Sequence, residues 1–316
     1  RKTAVFEFAY TFGLEPLQQY LIRFPDGRLQ AFSLAWDVPG KRWFFLYPGK
    51  KIPPTDWLHW TRNAQNWNGM CAGCHSTNLV KGFDPKANTY TTTWSEVDVS
   101  CEACHGPAGG WIEGHTEAGW THAQSVAAGM IDTRDAARGA EACFGCHLGD
   151  ARKTVDHTMI AAGHPALVFE LDTFAANLPP HWGEREENAS WFRAGPWAVG
   201  QAMALREAAR RTARQSRGGG WPEFSGYDCF ACHHDLGGES WQQAQGGVPG
   251  RPVWDGSRYA VLAVLVRRSA PEVAGDLDAA VGRLRELAGD GERGEAMAAA
   301  AERVAGLADR VLARVR

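Results

Sequence analysis

The sequence has little of what would mark several common classes of protein. It contains no run of about 18 apolar residues, the length that a membrane-spanning helix needs, so no membrane span is predicted. Its formal net charge is only −3 and it carries no nucleic-acid-binding motif, so no nucleic-acid partner is expected. Cysteine is scarce, with eight residues in 316. Because all eight occur in closely spaced pairs, they carry the most specific information in the chain.

The cysteines form four copies of one pattern, Cys-x-x-Cys-His, which is the attachment signature of c-type haem. Two thiols bind one macrocycle covalently, and the histidine that follows ligates its iron from the proximal side. The sequence therefore predicts four covalent c-type haems. The predicted attachment residues are Cys71, Cys74, Cys101, Cys104, Cys143, Cys146, Cys229 and Cys232. The predicted proximal ligands are His75, His105, His147 and His233.

Zinc knuckles and disulfides are the other common uses of paired cysteines. A zinc knuckle does not require a histidine directly after its second cysteine, yet all four pairs have one. At the histidine frequency of this chain, 11 in 316, four such coincidences have a probability of roughly one in a million. The haem interpretation accounts for every cysteine and leaves none for a separate disulfide.

Covalent haem attachment takes place outside the cytoplasm, after export. The chain opens with Arg1-Lys2-Thr3 and has no apolar leader segment. We therefore expect a mature or truncated form of an exported protein, located in the periplasm or outside the cell.

The patterning predicts an α+β protein whose core is dominated by its cofactors. Residues 1–52 are expected to form a β-rich scaffold or docking segment, with a hairpin turn at Pro25-Asp26-Gly27. Residues 53–244 are expected to form a tetrahaem core of loops and short helices. Residues 245–316, which begin with a Gly/Pro-rich linker over 245–252, are expected to form a C-terminal helical region.

Two parts of the chain have clear helical periodicity. One helix is predicted from Trp197 to about Arg217, ended by three glycines. Its arginines at 206, 210, 214 and 217 share one face, which predicts a solvated surface or a contact with haem propionates or an acidic partner. Apolar residues then recur at helical spacing on both sides of Gly289-Asp290-Gly291, which predicts an antiparallel helical hairpin.

Three segments in the middle of the chain carry a family resemblance. They are Met70 to His75, Val99 to Pro107 with Gly114-His115 behind it, and Cys143 to Leu148. Over about residues 69–150 the chain resembles the cytochrome c-554 family, multihaem carriers that accept electrons from hydroxylamine oxidoreductase. The first haem segment of that family has no counterpart here, and the motif from Cys229 to His233 is additional.

Seven histidines lie outside the motifs and are candidates for distal iron ligands. His164 is the strongest, because Gly163-His164-Pro165 resembles the ligand segments of multihaem cytochromes. His234 directly follows a proximal histidine, and in small multihaem cytochromes such a residue ligates a neighbouring haem. His115 resembles the Gly-His ligand that serves the family's first haem. The remaining candidates are His181 and His59 in loops, with His122 and His157 in reserve.

These features predict a multihaem cytochrome that carries electrons along four haems, rather than a catalyst. Its expected partners are other redox proteins or copies of itself. Two alternatives stay open. The first is an enzyme of nitrogen-oxide or peroxide chemistry, because in the resembled family the haem that corresponds to Cys71–His75 lacks a distal ligand. This alternative fails if a histidine such as His59 ligates that iron. A subunit of an extracellular cytochrome filament is the other.

Overall fold

The chain folds into two compact units. The computed structural model describes residues 4–179, 181, 194–234 and 250–316. The first unit comprises Arg1–Asp132 with Ala161–His164, and the second comprises Thr133–Ile160 with Pro165–Arg316. Each unit therefore holds two of the four motifs. The predicted α+β class is confirmed, with strands in the N-terminal part and helices in the C-terminal part. The predicted three-part division stays a prediction, and its boundary at 244/245 and the first five residues of the linker lie outside the described residues.

The first unit is built on antiparallel strands. They are β1 Phe8–Phe12, β2 Leu17–Arg23, β3 Leu29–Ala31, β4 Leu34–Asp37 and β5 Arg42–Phe45. Strand β2 pairs with β1, β3 and β4, and β5 pairs with β4. The predicted hairpin joins β2 to β3, and Gly27 has a φ of +84° in its turn. A Cβ at Gly27 would lie 1.9 Å from the carbonyl oxygen of Tyr90, so glycine is required there for space as well as for backbone conformation.

Short elements carry the chain past the first two motifs. The strands are β6 Ser76–Thr77, β7 Phe83–Asp84, β8 Thr89–Tyr90 and β9 Glu96–Val97. The helices are α1 Trp67–Met70, α2 Cys101–His105, α3 Ile112–His115 and α4 His122–Ala127. Buried Asn68 links α1 to the sheet, because its side-chain oxygen accepts the N–H of Leu29 at 2.6 Å and its amide donates to the Thr92 hydroxyl at 2.8 Å. The first motif therefore starts from a fixed position beside β3.

Helices dominate the second unit. They are α5 Ala136–His147, α6 His157–Ala161, α7 Leu171–Asn177, α8 Ala194–Arg217, α9 Ser257–Ser269, α10 Pro271–Gly289 and α11 Glu295–Val315. The predicted long helix is α8, and the predicted C-terminal hairpin consists of α10 and α11. Helix α11 packs mainly along α8, and both bury rows of alanines that allow the two backbones to approach closely. In the part of the chain that the structure describes, no helix has the length and apolarity of a membrane span.

The arginine face of α8 has a use that the sequence analysis did not anticipate. Arg206 and Arg210 both bind the carboxylate of Asp309 on α11, at 3.2 Å and 3.0 Å. Arg217 binds Glu295 at 2.8 Å and also pairs with Glu302, again on α11. The expectation of a solvated face is wrong for Arg206, whose side chain is 9% exposed, and holds in part for Arg210 and Arg217, at 42% and 43%. A contact with haem propionates stays a prediction for all three arginines. These arginines join two helices of the second unit, because acidic residues of α11 lie opposite them.

Truncation of a buried valine should destabilise the helical unit. The side chain of Val281 on α10 is 1% exposed, whereas Val264 on α9 is 57% exposed. We expect Val281→Ala to lower the free energy of unfolding by about 2 kcal/mol, since it removes two buried methyl groups and leaves a cavity. The matched change Val264→Ala should have almost no effect. Thermal unfolding followed by the helical circular dichroism signal measures both, and equal losses would contradict this packing.

Candidate haem-binding sites

Each of the four Cys-x-x-Cys-His motifs forms one tight turn, which is α-helical in the second and third, a hydrogen-bonded turn after α1 in the first, and begins as a 3-10 helix in the fourth. The second motif is α2, and the third forms the last turn of α5. In the first motif the N–H of His75 donates to the carbonyl of Cys71 at 3.0 Å, and in the fourth the N–H of His233 donates to that of Cys229 at 2.7 Å. Residues at i, i+3 and i+4 lie on one face of a helix. Both thiols and the imidazole of each motif therefore face the same side, as attachment to one haem requires.

The eight cysteines are thiols, the form from which thioethers are made. None of the eight cysteines, all of which are described, is in a disulfide. Burial raises the pKa of the Cys71 thiol to about 12, which favours its uncharged form. Zinc would need thiolates and three or four protein ligands in one place. Within the described ranges no three His, Cys, Asp or Glu side chains form such a group. Haem iron needs fewer protein ligands because porphyrin nitrogens fill most of its positions, so the donor set fits haem.

The first unit fixes His75 from two sides. Its carbonyl accepts the N–H of Asp98 at 3.1 Å, which ties the motif to the segment after β9. The ring of Phe12, from β1, meets the His75 ring edge-on with centroids 5.8 Å apart. Asp98 in turn accepts the N–H of Gly13 at 3.2 Å. The strands thus hold the first proximal ligand in place independently of any cofactor.

His164 lies in the first unit, near His75. Burial lowers the pKa of His75, the nearby charge of His164 lowers it further, and Asp98 opposes both effects. The segment that carries His164 is anchored by Tyr47, whose hydroxyl donates to the carbonyl of Ala162 at 3.0 Å. That hydroxyl also accepts the side-chain amide of Gln65 at 2.6 Å. The structure thus brings together a predicted proximal and a predicted distal ligand that are far apart in sequence.

His59 has a different set of neighbours. Its Nδ1 atom lies 2.9 Å from the hydroxyl oxygen of Thr61, and its ring lies beside Trp60 at 6.2 Å between centroids. The histidine whose charge acts on His75 is His164. Ligation of the first haem by His59 therefore stays a prediction.

Around the second motif, Trp111 is the shared neighbour of two histidines. The buried ring of Trp111 meets that of His105 at 6.3 Å and that of His115 at 5.9 Å, edge-on in both cases. His115 is exposed on α3. His122 is already engaged, because its Nε2 atom lies 2.9 Å from a carboxylate oxygen of Asp132. His115 is therefore the exposed candidate ligand near the second motif. His122 has a carboxylate partner in place of an iron.

The third motif ends α5 among aromatic rings. The ring of His147 stacks on Phe169 and packs against Phe174, with both centroid distances 4.6 Å. The ammonium group of Lys153 lies 3.3 Å from the sulfur of Cys146. His181 is exposed, and its Nδ1 atom lies 3.2 Å from the carbonyl of Pro179. Its chain neighbours lie outside the described residues, so its role as a ligand stays a prediction.

At the fourth motif the structure brings in His157, which the sequence analysis held only in reserve. The rings of His157 and His233 have centroids 6.1 Å apart and planes 25° apart. No local pattern marks His157, because this proximity depends on how α6 packs against a distant loop. His234 is half-buried directly after His233, and its ligation of a neighbouring haem stays a prediction.

One comparison, with a family model, agrees with the chemistry of the first two motifs. The family model described as cytochrome c554 and c-prime matches residues 58–106, which include the first two motifs. No curated protein matches the chain significantly. The crystal structure of the outer cell wall cytochrome OcwA aligns with a TM-score of 0.29 and 14% identity, over 94% of this chain and 86% of that one. So low a TM-score demonstrates no shared fold. The resemblance seen in the sequence is confirmed: residues 58–106 are similar to a c-type cytochrome segment. This range begins earlier than the 69–150 expected from the motifs and ends at Gly106.

Proposed function

We propose that the chain is a tetrahaem c-type cytochrome that passes electrons between redox partners outside the cytoplasm. The observation that carries this proposal is a single tight turn at each of the four motifs, closed from the histidine back to the first cysteine, which brings two cysteines and a histidine together. When bound, haem supplies reversible one-electron exchange at its iron. The partners we propose are other redox proteins or further copies of this chain, in the periplasm or outside the cell.

The protein's own contribution is to hold the proximal histidines and, at three of the four motifs, to pack aromatic rings against them. The ring of Phe12 covers His75, that of Trp111 lies against His105, and those of Phe169 and Phe174 pack on His147. Apolar surroundings disfavour the more highly charged ferric state, so such packing raises a haem potential. These aromatic contacts support a carrier in which the reduction potential of each of these haems depends on how deeply its histidine is buried.

The environment of the first motif favours a carrier over an enzyme. Small-molecule chemistry at an iron needs an open coordination position. His164 lies close enough to His75 to lower its pKa, and Tyr47 anchors the segment that carries it. We therefore propose that His164 is the distal ligand of the haem at Cys71–His75. An iron held by two histidines has no position left for a small ligand, which leaves electron transfer as the activity.

Haem stoichiometry tests the proposal directly. The exported protein, made in a host that attaches haem c, should show an intact-mass excess of four haems over the polypeptide. The double variant Cys229→Ala/Cys232→Ala should lose one haem and keep the other three, because each motif binds its own macrocycle. The matched variant Cys143→Ala/Cys146→Ala should also lose one. A smaller excess in the unaltered protein, or zinc in place of iron, would overturn the tetrahaem assignment.

Replacement of His164 should open one iron. We expect His164→Ala to convert one low-spin haem in four to a high-spin form that binds carbon monoxide when reduced, since the distal position loses its ligand. His122→Ala is the matched control, because that imidazole pairs with Asp132, and its spectrum should be unchanged. Optical and electron paramagnetic resonance spectra measure both. An unaltered spectrum for His164→Ala would exclude this ligand, and carbon monoxide binding to the unaltered protein would favour the enzyme.

A further inference from the structure

We propose that His157 is the distal iron ligand of the haem attached at Cys229 and Cys232, opposite His233. This inference rests on the proposed function, because it assumes that the fourth motif binds haem. His157 and His233 both belong to the second unit, so the pair forms within one compact body. The family match ends at Gly106 and does not reach either residue.

The separation of the two rings suits an iron between them. A metal–imidazole bond is about 2 Å long, so two imidazoles on opposite sides of one ion have ring centroids about 6 Å apart. The centroids of His157 and His233 are 6.1 Å apart. The stacked rings of His147 and Phe169, in direct contact, are closer at 4.6 Å. The histidine pair therefore has the spacing of two axial ligands rather than that of a tight stack.

The loop before the fourth motif holds His157 in position. One carboxylate oxygen of Glu223 accepts the backbone N–H of His157 at 2.9 Å and that of Ser225 at 3.0 Å. The ring of Phe224 meets the His157 ring edge-on at 5.7 Å. Asp156 accepts the N–H of Met159 at 2.8 Å and so stabilises the first turn of α6. These contacts fix the backbone and one edge of His157 without an iron, as a preorganised ligand requires.

The other half of the pair is held by separate contacts. Asp228 accepts the N–H of Phe230 at 2.9 Å, and its own N–H donates to the carbonyl of Val253 at 2.8 Å. The turn that carries Cys229 and His233 is thus tied to the strand-like segment before α9. Because each histidine has its own anchor, their juxtaposition does not depend on one chance contact.

The neighbouring histidine cannot take the same role. His234 follows His233 in the chain, and adjacent residues of a helical turn project about 100° apart. One turn therefore cannot place both imidazoles on opposite sides of a single iron. His157 comes from a different element, and its ring centroid lies 6.1 Å from that of His233, a separation that leaves room for an iron between them.

The planes of the two rings give this haem a specific signature. Near-parallel axial imidazoles give a rhombic low-spin electron paramagnetic resonance signal, whereas near-perpendicular ones give a strongly anisotropic signal. The angle between the planes is 25°, so we expect a rhombic signal. The Cys229→Ala/Cys232→Ala variant identifies it, because the signal missing from that variant belongs to this haem.

The test compares His157→Ala with His122→Ala in the full-length protein with its haems attached. We expect His157→Ala to lose the same rhombic signal that is missing from the double cysteine variant, to gain one high-spin signal, and to recover the low-spin form when imidazole is added. His122→Ala should keep all signals. If His157→Ala does not fold, His157→Met provides the second test. It should stay low-spin, gain a methionine–iron charge-transfer band and raise one potential, because methionine ligation favours the ferrous state.

Retention of every low-spin signal in His157→Ala, with haem still found on the Cys229–Cys232 peptide by mass spectrometry, would overturn the assignment of His157. An unshifted potential in His157→Met would do the same. Both outcomes leave the tetrahaem cytochrome intact. Absence of haem from that peptide in the unaltered protein would instead contradict the proposed function, so the two failures are distinguishable.

Discussion

The constraint on which the rest of this structure depends is a single helical turn, repeated four times. Each turn places two thiols and one imidazole on the same face, because positions i, i+3 and i+4 of a helix project together. The surrounding chain differs at every site: α1 and the strands support the first turn, α2 is the second, the end of α5 carries the third, and a loop before α9 carries the fourth. What stays constant is local backbone geometry, which is also what covalent haem attachment requires.

The two units provide this turn with different kinds of support. In the first, short strands and buried side chains such as Asn68 fix the loops, and regular structure is limited. In the second, α8 and α11 form a helical scaffold joined by buried alanines and by the ion pairs of Arg206 and Arg210 with Asp309. Ion pairs on an exposed helix face contribute modestly to stability, so burial of the apolar faces supplies most of the free energy there. The arginine face therefore contributes to the pairing of α8 with α11.

Long-range packing brings a candidate distal ligand to two of the four sites. His164 reaches the vicinity of His75 through the anchor at Tyr47, and His157 reaches His233 through Glu223 and the packing of α6. These two histidines lie seven positions apart in the chain, yet they belong to different compact units. A short segment of chain thus contributes candidate ligands to two separate sites. One segment then does what would otherwise need two.

The sequence by itself determined the features that depend on neighbouring residues. The four motifs, the hairpin at Gly27, the long helix that ends at Arg217 and the C-terminal helical pair all follow from short-range spacing and turn chemistry. Tertiary structure alone decided which histidines face each other and what the arginines of α8 bind. The sequence spacing of a histidine does not indicate which residue it will lie beside, and no motif around His157 marks it as a ligand. The position of a candidate distal ligand is set by the packing of elements far apart in the chain, so only the fold brings the rings of His157 and His233 to 6.1 Å.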